Sequence, residues 1–121
     1  MLRTVSSLIV LLWLAPCAAA EQPFDRYFEN QTLRIDFHHT GDAEREFVAM
    51  DRLYRQGEYS GPKTRLVDPF PYGGYLVEAR DPATGNLLFS KGFDSFFGEY
   101  RTTAGAADGA LRTYHESVLL P

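Results

Sequence analysis

Two extended runs joined by a strong turn signal, between Tyr75 and Lys91, constrain the fold of this chain more than any other feature. Tyr75, Val77 and Ala79 alternate with Glu78 and Arg80, and Leu87-Leu88-Phe89-Ser90-Lys91 runs extended after Asp81-Pro82-Ala83-Thr84-Gly85-Asn86. Proline pre-sets the first turn residue, and Gly85 can take the left-handed backbone that returns the chain. The pattern predicts a β-hairpin with a loop of about four to six residues. Thr32 to His38 alternates just as cleanly. Leu33, Ile35 and Phe37 face one way and Arg34, Asp36 and His38 the other, which marks a strand with one buried face. Thr40-Gly41-Asp42 reads as the turn that closes it.

The remaining segments are shorter. Phe24, Tyr27 and Phe28 are spaced for one helical turn against the core. In Glu46 to Arg55 the residues Phe47, Met50, Leu53 and Tyr54 fall at helical spacing, while Val48, Met50 and Tyr54 also share one strand face; periodicity alone slightly favours helix. Ser60-Gly61-Pro62 and Pro69 to Gly74 are loops by composition. Phe93, Phe96, Phe97 and Tyr100 form an aromatic cluster at helical spacing, with Asp94 or Ser95 as N-cap, that reads as a core plug. Thr102 to Ala110 is small and flexible, with a short helix capped by Thr103. Tyr114 to Leu120 is extended again. Together these elements predict an all-β domain, an antiparallel β-sandwich with one or two short helical turns. An apolar strand closing the chain leaves an exposed sheet edge, which leads us to expect a longer protein continuing past Pro121.

This domain is preceded by a segment with a different purpose. Arg3, the unbroken apolar run Leu8 to Leu14, Pro16 and Ala18-Ala19-Ala20 follow the order of a cleaved secretory signal peptide over residues 1–20. The apolar run is too short to span a bilayer. Leu14-Ala15-Pro16-Cys17 half resembles a lipobox, but proline directly before the cysteine is wrong for lipoprotein processing. Cleavage leaves residues 21–31 as a lead-in and 32–121 as the sandwich. The sole cysteine, Cys17, departs with the signal, so the domain folds on an apolar core without a disulfide. A bacterial cell-envelope, periplasmic or secreted location is expected, with no membrane attachment after cleavage. The net charge of −4 has no basic stripe, which disfavours nucleic acid as a partner.

Little in the chain carries chemistry. There is no His-Glu-x-x-His, no Gly-x-Ser-x-Gly and no phosphate loop. Adjacent strand residues point to opposite faces, so His38 and His39 cannot share one metal. Cross-strand sites pairing His115 with Glu116, or His39 with Asp36, stay open beside the reading of ordinary strand histidines. Asp36 and Asp68 read as structural polar residues. Tyr59, Tyr72 and Tyr75, near the loops, are candidates for a sugar-stacking platform, though core or edge packing is the commoner use. No catalytic, metal or cofactor-binding residue is assigned.

Several stretches together carry a resemblance: Leu33-Arg34-Ile35-Asp36, His39-Thr40-Gly41, Leu66-Val67-Asp68 and Gly73-Gly74-Tyr75. The most specific is Ser90-Lys91-Gly92-Phe93-Asp94-Ser95-Phe96-Phe97-Gly98-Glu99-Tyr100-Arg101-Thr102-Thr103, followed by Tyr114-His115-Glu116-Ser117-Val118 and Pro121. Over Thr32 to Pro121 the chain resembles the N-terminal domain of the IgA-peptidase family of secreted bacterial zinc metallopeptidases, metallopeptidase family sixty-four. The resemblance implies an antiparallel sandwich ahead of a separate catalytic domain, which would hold the zinc on a motif this chain lacks. It also tips Glu46 to Arg55 towards strand, and it counts against a helix in the glycine- and alanine-rich Ala104 to Ala110. The implied function is that of a non-catalytic accessory domain, packing on the catalytic domain and helping to present protein substrate. The alternative is a stand-alone exported module that binds a glycan or a protein.

Overall fold

A computed structural model describes residues 23–121, so the expected signal peptide lies outside the described residues. The elements in chain order are helix α1 (Phe24–Tyr27), strands β1 (Leu33–Gly41), β2 (Glu46–Arg55), β3 (Tyr75–Arg80) and β4 (Leu87–Phe93), helices α2 (Phe96–Tyr100) and α3 (Ala104–Ala107), and strand β5 (Arg112–Leu120). They form two antiparallel sheets, β2-β1-β5 and the β3-β4 hairpin.

The hairpin forms where its sequence places it. Asp81 accepts from the backbone N–H of Ala83 and from the Thr84 hydroxyl, and Gly85 returns the chain at φ +75°. The inward residues Val77, Ala79 and Phe89 meet Ile35, Val118 and Leu120 of the other sheet, with Phe24, Leu66 and Tyr59 closing the layer. Residues on the inner faces of two packed sheets make the core of a sandwich, and that is the arrangement here. The lead-in helix contributes Phe24, whose ring stacks on Tyr59 at 5.9 Å between centroids.

A second, smaller core lies at the other end of the sheet. Ser95 caps α2 by accepting from the Gly98 N–H at 2.8 Å, and the helix inserts Phe97 and Tyr100 against Ala106 and Tyr114. Phe97 is completely buried, worth about 1.5–3 kcal/mol in transfer alone. Of the expected aromatic plug, Phe96 instead points to solvent. Helix α3 does form, despite its Gly/Ala content, because the Thr103 hydroxyl accepts from the Ala106 N–H.

One boundary and one face assignment differ from expectation, while Glu46 to Arg55 is the strand the resemblance implied. Strand β1 runs on through Gly41, and the turn comes one residue later. There the Asp42 carboxylate accepts from the N–H groups of Glu44 and Arg45, an Asx-type turn. Gly41 is held in the strand by a close approach: a Cβ there would overlap the Arg45 carbonyl and stand 2.9 Å from the Phe97 ring.

The second difference explains the ambiguous period of Glu46 to Arg55, which is a strand. A β-bulge places Asp36 opposite Arg52 and Phe37 opposite Met50, leaving Asp51 unopposed. The extra residue turns a two-residue alternation into a three-residue step, so Met50 and Leu53 share the inner side and mimic a helical spacing. Tyr54 falls on the outer side, where the Arg34 guanidinium lies 4.6 Å over its ring, and not with Val48 and Met50 as simple alternation implied.

Candidate functional site

Strand β1 is the centre of the larger sheet, and its two adjacent histidines end in opposite environments. His39 faces inward and is only 1% exposed. Its Nδ1 lies 3.1 Å from Glu116 Oε2 of β5, and its Nε2 lies 2.6 Å from Glu46 Oε1 of β2. Phe97 covers one face of the imidazole at 4.2 Å, and Tyr75 meets it edge-on at 5.0 Å. Two ionised carboxylates accept only, and a neutral imidazole donates through one nitrogen, so both contacts become hydrogen bonds only with a second proton in the cluster.

The cluster extends outward through its carboxylates. Glu116 Oε1 accepts from the Phe97 N–H at 3.2 Å, tying β5 to the start of α2. Arg101 Nη1 donates to Glu46 Oε2 at 2.6 Å, and its Nη2 donates to the Ala43 carbonyl. Burial works against the charge on Glu46. Hydrogen bonds from His39 and Tyr75 and the nearby Arg101 charge nevertheless hold its carboxyl below the usual range. Burial, helped by the Glu46 hydrogen bond, pushes the Tyr75 phenol up. Buried at His39 and reaching the surface at Glu46 and Arg101, this network links three strands and a helix.

The outer face of the same sheet is open. His38 stands directly opposite His115 in the β1–β5 register, with ring centroids 5.0 Å apart. The bulged Asp51 reaches the same spot, its Oδ2 lying 3.2 Å from His115 Nε2. The pairings left open by the sequence are therefore not the ones that form. His115 and Glu116 are neighbours on one strand and face opposite sides. Asp36 shares the outer face with His38 and is bound instead by Arg34 through two 2.7 Å hydrogen bonds. Asp36 and Asp68 are structural, as expected. Arg34, with burial opposing it, holds the Asp36 carboxyl below its usual range. Asp68 accepts from the backbone of Phe70 and Gly92, fixing the loop beside β4. Nothing in the sequence pairs Asp51 with the histidines, because the registers of β2 and β5 on β1 set that contact.

The three tyrosines do not assemble into a platform. Tyr59 packs on Phe24 and Tyr75 on His39 and Phe93, both in the interior. Tyr72 alone is exposed, at 81%, and its ring stacks on Phe70 at 6.3 Å. An open cleft of about 530 Å³ lies between α2 and β5, lined by Asp94, Ser95, Phe96, Glu99 and His115 among others. Strand β2 has no partner on its outer edge among the described residues. Its inward-facing Val48, Met50 and Leu53 are 61%, 66% and 55% exposed, because the two-stranded hairpin covers only the β1–β5 side.

The family model described as peptidase M64 N-terminus matches residues 23–121, the whole of the described structure. The chain belongs to this family. No curated protein matches the chain. In this M64 N-terminal domain the distinctive run Ser90 to Thr103 builds the second core. Gly92 lets the Tyr72 backbone approach, Ser95 and Thr103 cap the two helices, and Phe97 and Tyr100 fill the space. Its most recognisable residues are thus packing residues. A domain of this family implies a catalytic domain as partner in the full protein.

Proposed function

We propose that this chain is the non-catalytic N-terminal domain of an exported, IgA-peptidase-like zinc metallopeptidase, where it packs on the catalytic domain and helps present protein substrate. The observation that carries this reading is the family match over residues 23–121 in a sequence without His-Glu-x-x-His. Catalytic zinc belongs, on this reading, to the catalytic domain. The uncovered apolar side of β2, with Val48, Met50 and Leu53 beside a strand edge unpaired among the described residues, supplies the docking surface. Single exposed apolar residues are ordinary, but three contiguous ones on an unpaired edge are a liability unless something covers them. Export rests on the N-terminal leader pattern, and places the protein in the bacterial envelope or outside the cell.

The experiment is to read the coding frame past Pro121 and co-express whatever follows with this chain on a separable tag. A following domain with His-Glu-x-x-His that co-purifies, and that is released by replacing Met50 and Leu53 with serine, is the expected result. A stop codon with no such domain nearby, or a catalytic domain indifferent to this chain, overturns it.

One observation favours a second reading, the stand-alone binding module. Phe70 and Tyr72 form an exposed, nearly parallel aromatic pair on a loop, the arrangement that stacks on a sugar face. Glycan-array binding lost on Tyr72→Ala would favour that module.

A further inference from the structure

The outer face of the β2-β1-β5 sheet has a constellation that neither the packing role nor the family accounts for. We propose that His38, Asp51 and His115 form a binding site for a divalent transition-metal ion, with Zn²⁺ the best fit, separate from any catalytic zinc. One ligand atom from each residue can be chosen so that all three lie within 4.8 Å of one another. Each comes from a different strand, so the site exists only when the sheet is formed.

The donor set selects the class of ion. Two imidazoles and one carboxylate suit Zn²⁺, Cu²⁺ or Ni²⁺, whereas Mg²⁺ and Ca²⁺ want oxygen throughout. Three protein ligands with a fourth position open to water is the arrangement of an accessible zinc site. One of the three edges already has the spacing. A tetrahedral ion with bonds of about 2.0–2.1 Å holds its ligands about 3.3 Å apart, and Asp51 Oδ2 to His115 Nε2 is 3.2 Å. His38 needs only a side-chain rotation to close the third edge, since it is the register partner of His115.

Two further features set the position of Asp51. Alternation from Met50 already puts Asp51 on the outer face, and the bulge leaves it without an opposite residue in β1. The two Asp51 oxygens are also divided, Oδ2 to His115 and Oδ1 towards Arg52 Nε at 3.9 Å. The Arg52 contact is a loose ion pair beyond hydrogen-bonding distance. A plain surface ion pair does not need His38.

The test is isothermal titration of ZnCl₂ into the tag-free, chelator-stripped chain, with CoCl₂ as a spectroscopic probe. One equivalent of Zn²⁺ is expected, with tetrahedral Co²⁺ bands in the visible, and no binding of MgCl₂ or CaCl₂. His38→Asn and His115→Asn should each abolish binding, and Asp51→Asn should weaken it about 10–100-fold. All three residues are solvent-accessible, so circular dichroism should stay unchanged in each variant. Absence of binding at 100 μM Zn²⁺, or binding that survives both His38→Asn and His115→Asn, overturns the proposal. These outcomes are independent of whether a catalytic domain follows Pro121.

Discussion

His38 and His39 are neighbours in sequence, yet one stands in water and the other is sealed between two carboxylates and two aromatic rings. The pleat alone separates them, since successive side chains leave a strand on opposite faces. Inside, every polar atom must be matched, so His39 acts as a cross-link: it holds β2, β5 and, through Glu116, α2 to the central strand. Outside, His38, Asp51 and His115 stand in water, and these residues are free to serve a ligand. The difference teaches that histidine–carboxylate contacts of similar length can have unrelated consequences. His39–Glu116 at 3.1 Å is architecture, and His115–Asp51 at 3.2 Å is accessible chemistry.

The largest expected effect breaks the inner side. His39→Ala leaves Glu116 and Glu46 facing each other without their shared partner. It should cost about 3–5 kcal/mol of unfolding free energy in urea, as truncating a fully buried ring and leaving its polar partners unmatched does. His38→Ala, one residue away, should change the same midpoint by no more than about 0.5 kcal/mol. Comparable losses for the two would show that the faces are not as distinct as the structure makes them.

Next comes the packing around the inner histidine. Gly41→Ala drives a methyl group into the Arg45 carbonyl and the Phe97 ring, and should lower stability by about 1–3 kcal/mol. A thermal melt unchanged by this substitution would mean that β1 and α2 separate more readily than their contacts suggest.

Acid sharpens the comparison, because carboxylates on both sides are held in their charged form. Asp42 is the clearest. Hydrogen bonds from the Arg45 side chain and backbone lower its carboxyl from the usual 3.8 to about 2, against the opposing effect of burial. In the unfolded chain this group protonates near 3.8, and in the folded chain only near 2. Its contribution is therefore complete above about pH 4–5 and is lost as pH falls towards 2. Asp36 and Glu46, also lowered, act in the same direction. Denaturation midpoints measured from pH 5 to 2 should fall steadily, and Asp42→Asn should make the fall shallower. A fall of equal depth in that variant would remove Asp42 from the account.

The smallest effect on stability is expected at β2. Serine at Val48, Met50 or Leu53 should shift the unfolding of the isolated chain by no more than about 0.5 kcal/mol each, since these side chains are already in water. Their effect should appear instead in binding to the catalytic domain. A large loss of stability in the isolated chain would show that these residues already have a covering layer.

Much of the fold was legible. Asp81 to Asn86 specify their turn by local chemistry, and Leu33 to Phe37 specify a half-buried strand by alternation. Ser95 and Thr103 sit where a hydroxyl can reach an N–H three residues on. The face assignment of Glu46 to Arg55 was not legible, because a bulge is fixed by the partner strand: nothing in the residues themselves says that Asp51 will have no opposite number.

What the sequence determined by itself, then, are the features set by neighbours along the chain: strands, turns, caps, family membership and the lack of a catalytic motif. Only the tertiary structure decided which of three histidines meets which carboxylate. His39 and Glu116 are 77 residues apart, and Asp51 meets His115 across two strand pairings and a bulge. Local rules act over a few residues, whereas these contacts depend on the register in which distant strands align, and that register is set by burying one face of the whole sheet.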